Sequence, residues 1–203
     1  MSLLLACGCA KKASEEIDFG TIENNVYNNV YFGMSIPIPE NWYVADQDTK
    51  KQLTEIGSDL IAGDDSTRKA LQKAAALRTV TLLALFNHPV GAPVDYNPNI
   101  MCIAEKTSDV PGIKTGKDYF FHVKKALDQA PLQITYPKDI YTDTVGGVSF
   151  YVMPVDMVIN GTKIHQEHYA AIQQGYALTF ALSYVNEEQR MTLKQVLANT
   201  SIE

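Results

Sequence analysis

The chain has 203 residues, a formal net charge of −6, 46% apolar and 20% charged residues, which is the composition of a globular domain rather than a disordered chain. Three cysteines are too few for a disulfide scaffold, and a folded body of about 180 residues buries roughly 70% of its unfolded surface, enough to dispense with cross-links or a structural metal. The acidic balance, without a Lys/Arg stripe interleaved with aromatics, argues against nucleic acid as a partner, and no apolar run is long enough to cross a bilayer as a helix.

At the N-terminus, Leu4 stands three positions before Cys7 and the small Ala6 directly before it, a spacing that fits Cys7 better than Cys9. Leu3-Leu4-Leu5-Ala6-Cys7-Gly8 resembles the bacterial lipobox, which implies a diacylglycerol on Cys7, export, and attachment to a membrane of the cell envelope. No basic n-region and only part of an apolar h-region precede it, as expected of a sequence that starts late in its precursor. Lys11-Lys12-Ala13-Ser14-Glu15-Glu16 is short, polar and charged. Residues 1–20 therefore read as signal-peptide remnant, lipobox and flexible tether, and 21–203 as one domain.

Val26 to Pro39 reads as two strands with a turn near Asn28-Asn29; Met34, Ile36 and Ile38 alternate with Ser35, Pro37 and Pro39, and the prolines place the second strand at an edge or at its exit. Trp42, the only tryptophan, is expected to be largely buried. Asp48 can cap a helix with Leu53, Ile56 and Leu60 on one face, and after the break at Gly63-Asp64-Asp65 a second, alanine-rich helix runs to about Ala76. The carboxylate pair Asp64-Asp65 is explained by that helix start. Strands follow at Arg78–Phe86 and Ile100–Lys106, joined by an irregular proline-rich loop. Cys102, in the second of these strands among Ile100, Met101, Ile103 and Ala104, reads as a small buried hydrophobe rather than a nucleophile.

Thr115 and Asp118 form a capping-box start for a helix with Phe120, Val123 and Leu127 on one face and His122 off it. Short strands near Leu132–Tyr136 and Ile140–Thr142 lead into a meander over Val148–Ile159, Thr162–Ile172 and Tyr176–Tyr184. Asn160-Gly161 is the strongest local signal, because both residues of a type I′ turn need positive φ. Asn186 caps a last helix carrying Leu193, Val196 and Leu197 inward. The order predicts an α+β fold, an antiparallel sheet with helices packed on it rather than a regular βαβ array.

Ser35-Ile36-Pro37-Ile38-Pro39-Glu40-Asn41-Trp42, Val145-Gly146-Gly147 leading into a strand, the aromatic strand Tyr176–Tyr184 and a final helix closing on Thr200-Ser201-Ile202 resemble the PsbP/Mog-like group, which includes DcrB-type bacterial envelope lipoproteins. The sequence departs from that pattern at Asn41, where a glycine is common, and in the helical stretch Lys51–Ala76, which looks like an insertion. The resemblance implies an α/β/α sandwich with helices on both faces of the sheet. It implies no ligand, since relatives bind different partners, and no partner-contact residue matches for transfer.

No P-loop, G-x-G-x-x-G, G-x-S-x-G, H-E-x-x-H or C-x-x-C is present, so no catalytic residue, metal ligand or cofactor is assigned. A two-residue turn at Asn160-Gly161 makes Asp156 oppose His165 and Pro154 oppose Glu167. Alternation then gathers Asp156, His165 and Glu167 on one face, and Met153, Val155, Met157 and Ile164 on the other. An opposed acid is expected to raise the histidine pKa. Two functions are compatible with this: a noncatalytic envelope binding or accessory module, with the membrane reached through Cys7 and an envelope protein as a possible partner; or a metal- or proton-responsive protein, or an unrecognised hydrolase, using Asp156, His165 and Glu167.

Overall fold

The structure, a computed structural model, describes residues 17–203. Cys7 and the tether residues up to Glu16 lie outside the described residues. Contacts of the domain begin before residue 21. Asp18 accepts hydrogen bonds from the backbone of Gly20 and Tyr31 and from Asn29, while Phe19 O accepts from the Tyr27 hydroxyl.

In chain order the elements are β1 (Thr21–Glu23), β2 (Val26–Asn29), β3 (Met34–Pro37), β4 (Tyr43–Val44), α1 (Gln47–Ala62) and α2 (Ser66–Ala76), then β5 (Thr79–Phe86), β6 (Asn99–Lys106) and α3 (Gly116–Leu127). They continue with β7 (Gln133–Thr135), β8 (Tyr141–Val145), β9 (Val148–Ile159), β10 (Thr162–Gln173), β11 (Tyr176–Tyr184), α4 (Glu187–Ala198) and β12 (Ser201–Ile202). The helix starts are fixed locally. Asp46, Asp65, Thr115 and Asn186 each accept a backbone N–H three residues on, and Asp118 completes the capping box at Thr115. The α1 cap is thus Asp46, two residues before the expected Asp48.

A sheet of eight antiparallel strands runs β4-β5-β6-β11-β10-β9-β7, with β8 also pairing with β9; β1-β2-β3-β12 form a second, small sheet. Register assigns the faces of the large sheet. Ile100, Cys102, Phe180, Leu182, Tyr169, Val152 and Phe150 point one way, into a core shared with Leu193, Val196 and Leu197 of α4 and with Tyr27, Met34 and Ile36 of the small sheet. Met153, Val155, Met157, Ile164 and Ala170 point the other way, beneath Phe120 and Leu127 of α3, and Ala84 and Phe86 contact Leu53 of α1 on that face. Helices thus cover both faces, as expected. Cys102 is fully buried and its thiol pKa is pushed up by burial, so it is inert core.

Three local readings change. Asn24-Asn25, both with positive φ, close a β1–β2 hairpin that three exposed residues gave no periodic signal for. In α1, Ile56 and Leu60 are 58% and 37% exposed, whereas Lys50 is buried with Nζ donating to Leu82 O, and Thr54 meets Thr81. The register shift at Thr81/Leu83 makes this stretch of β5 a polar surface, so the helix turns its polar residues to the sheet. Trp42 is half-buried: it packs on the main core, with one side open beside Thr192 and Leu193. Asn41 adopts φ 65°, which explains the departure from glycine there, since asparagine is among the few residues that tolerate the left-handed region.

Helix α3 lies unusually close to the sheet. A Cβ on Gly116 would stand 2.0 Å from Ala170 O, a backbone atom that cannot swing away. Gly116→Ala is therefore expected to destabilise the fold by ~1–3 kcal/mol through overpacking, read as a lower midpoint in thermal or urea denaturation; an unchanged midpoint contradicts this close approach.

Candidate functional site

The site arises where the edge of the large sheet is interrupted. Strand β9 pairs with β10 along one side, but on its other side β7 covers only Asp156–Val158 and β8 only Val148–Val152. Between them the chain leaves the ladder over residues 136–140, opposite Pro154, a residue with no N–H to pair. A cleft of about 310 Å³ opens at this break. Its walls include Pro137, Lys138 and Tyr141 from the edge, Asp156 and His165 from the hairpin, and Arg190 from α4.

The register is that of a two-residue turn, with Asn160 and Gly161 at φ 51° and 80°. His165 faces Asp156, Glu167 faces Pro154, and Tyr169 faces Val152, so Asp156, His165 and Glu167 share a face as the alternation requires. His165 Nδ1 lies 2.7 Å from Asp156 Oδ1, and Lys163 Nζ is 2.8 Å from Oδ2. Burial works against the Asp156 charge, but the hydrogen bonds from Lys163 and His165 prevail and hold its pKa below the ordinary carboxylate value. The imidazole stacks on the Tyr184 ring at 5.6 Å, and its Nε2 has no protein partner among the described residues.

Glu167 does not join that pair. Its carboxylate is buried and receives Arg190 Nε, the Tyr184 hydroxyl at 3.1 Å and the Tyr169 hydroxyl at 3.0 Å. Burial, and then the Glu167 charge, push both tyrosine pKa values upward, so these hydroxyls stay protonated donors. Arg190 also reaches Glu187 at 2.9 Å. From Tyr169 the network continues: Lys194 Nζ donates to its hydroxyl and to Asp143 Oδ2, each at 2.6 Å. The three residues expected to act together all line the cleft, but they are paired separately, Asp156 with His165 and Glu167 with Arg190 of α4.

Sequence reasoning missed Arg190, Tyr184, Lys194 and Asp143. Tyr184 was within reach of a turn argument: Gln174-Gly175, with φ 51° and 85°, is a second two-residue turn, and it sets Tyr184 opposite His165. Arg190 left no local signal, because its partner lies across the packed helix–sheet interface. Of the other histidines, His122 is exposed, and His168 lies on the opposite face. There its Nε2 bonds Gln166 at 2.9 Å, and burial lowers its pKa to about 4, leaving it neutral.

Arg190→Met should cost ~3–5 kcal/mol in denaturant unfolding, because it strands a buried carboxylate. Adding Glu167→Gln to that variant should recover most of the loss. An Arg190→Met protein as stable as the wild type contradicts the bracing role.

No family model matches this sequence, and no curated protein matches it. Among solved structures, the fold is similar to that of cyanobacterial PsbP (CyanoP) from Synechocystis sp. PCC 6803. The TM-score is 0.54 with 12% identity, covering 88% of this chain and 91% of that one. Lower similarity is found to PA94 of Pseudomonas aeruginosa, a protein of unknown function (TM-score 0.44, 10% identity, 55% of this chain and 76% of that one). It is also found to LpqN, involved in cell envelope biogenesis of Mycobacterium tuberculosis (TM-score 0.40, 16% identity, 83% and 82%). The likeness to CyanoP establishes the fold: this chain has the PsbP-like α+β architecture, with antiparallel sheets and four helices among the described residues.

Proposed function

We propose that this chain is an extracytoplasmic binding or accessory module without catalytic activity, held to a membrane of the bacterial envelope through a lipid on Cys7. One observation supports the binding reading above the rest: the cleft is preformed, and its buried charge is already compensated. Asp156 is matched by Lys163 and His165, and Glu167 by Arg190 and two hydroxyls. Such a wall presents fixed polar groups to a ligand without needing one to complete it. The side chains lining the cleft include no serine, threonine or cysteine beside His165, so the His165–Asp156 pair has no side-chain nucleophile there for covalent catalysis. Pro154 at the gap in the edge lacks the N–H that strand addition would use, so recognition falls to side chains at the mouth, Lys138 and Tyr141 among them.

A second reading has its own observation. His165 Nδ1 engages Asp156 at 2.7 Å and leaves Nε2 without a partner among the described residues, which is how a histidine is oriented for a proton or a metal. With Glu167 committed to Arg190 and Asp156 orienting the ring through Nδ1, a metal would be held by His165 Nε2 with water completing the shell.

The anchor is tested by expressing the sequence behind a complete signal peptide and partitioning cells with detergent. The wild type is expected in the detergent phase and Cys7→Ser in the aqueous phase; a wild type in the aqueous phase contradicts the anchor. The two readings of the cleft are separated by zinc titration followed through the His165 ring resonances. The binding reading predicts no change, whereas a zinc-dependent shift that Asp156→Asn abolishes establishes the second.

A further inference from the structure

The two most exposed large apolar side chains among the described residues, and Phe19 with them, stand at one end of the domain, and it is the end from which the chain leads back to Cys7. Val30 is 86% exposed, Leu77 85% and Phe19 54%. Contacts of their neighbours in the chain place them at the same end as the N-terminal segment. Tyr31 N, next to Val30, donates to Asp18 Oδ2 at 3.1 Å. Phe19, next to Asp18, lines a cleft with Ala76 and Thr79, which flank Leu77 closely in the chain. The Tyr31 hydroxyl in turn donates to Gln174 O, at the β10–β11 turn that closes the same end of the large sheet.

None of these side chains is needed by the core as it stands. Val30 sits in the turn closed by Gly33 N to Val30 O, and Leu77 caps the end of α2. A turn and a helix terminus accept polar residues at such positions at no cost in packing, so the apolar choice at both points outward.

We propose that this end of the domain, bearing Phe19, Val30 and Leu77, is a membrane-contact face that lies on the lipid surface to which Cys7 is anchored. The inference rests on the anchor reading and adds an orientation to it. The chain between Cys7 and Ile17 spans at most about 35 Å when fully extended. A domain of this size is about 40 Å across, so the end where the tether joins is held within a domain's width of the bilayer and meets it in preference to the opposite end. Apolar side chains on two separate turns reach the headgroup and acyl boundary, about 5–10 Å deep, where interfacial residues settle. The cleft at Lys138 and Tyr141 is left open to the surrounding compartment for its ligand.

The test uses the lipidated full chain in phosphatidylethanolamine/phosphatidylglycerol vesicles, in a Cys9→Ser background that leaves buried Cys102 untouched. A polarity-sensitive fluorophore is placed through Val30→Cys, Leu77→Cys or, in the loop at the opposite end of the sheet, Val90→Cys. Vesicle flotation is measured on the same samples. The proposal predicts a blue shift, and loss of most emission to shallow nitroxide lipids, at Val30 and Leu77 but not at Val90. Protein that floats with the vesicles while all three positions report water overturns the face and leaves the anchor standing. Protein that does not float overturns both. A blue shift at Val30 and Leu77 that persists without vesicles and grows with protein concentration overturns the lipid assignment in favour of a second copy of the chain.

Discussion

The buried carboxylate of Glu167 is the constraint on which the site depends. Its strand, β10, is central to the large sheet, and its charge is matched by a cation from α4, Arg190, with hydroxyls from β10 itself and from β11. A carboxylate in that position is costly without such partners, so the first turns of α4 cannot lift without exposing an uncompensated charge. Asn186 fixes where the helix begins, and Lys194, one turn beyond Arg190, repeats the connection through Tyr169 to Asp143 of β8. Helix, central strand and sheet edge are therefore joined by one polar network, of which Glu167, Tyr184 and Arg190 face the cleft.

The opposite wall has a different origin. Strands β7 and β8 both pair with β9 and leave a gap between them, and the residue facing the gap is Pro154. The interruption removes a strand's width from the edge without leaving that residue an orphaned donor. Into the space come the stacked pair His165 and Tyr184, with Asp156 holding the imidazole by Nδ1. A polar cleft is thus built on a sheet whose remaining surface is covered by helices and a second small sheet, and the same fold in CyanoP shows that the architecture does not depend on this sequence.

Much of this was legible from local rules. Asn160-Gly161 fixed the register of β9 on β10 residue by residue, because only a turn with two positive φ values closes so tightly, and register then decided which side chains share a face. Caps marked the starts of the helices to within two residues. What failed was knowledge of what each surface meets. Leu53, Ile56 and Leu60 look like the buried face of α1 on a helical wheel, yet only Leu53 packs on the sheet; the irregular stretch of β5 beneath the helix offers Leu82 O and the Thr81 hydroxyl, which select Lys50 and Thr54 over Ile56 and Leu60. Glu167 looked like a third member of the Asp156–His165 pair for a similar reason: a strand pattern shows which face a carboxylate takes, but the guanidinium that claims it comes from a helix packed across the sheet.

Amide hydrogen exchange across β10 and α4 tests the central claim most directly. If the Glu167–Arg190 network locks α4 to the sheet and preforms the cleft, the amides of Arg190 to Leu197 and those of Glu167 to Ala171 exchange through the same opening, with protection close to that of global unfolding. Exchange of α4 through a separate, much cheaper opening, while β10 remains protected, would contradict a preformed site.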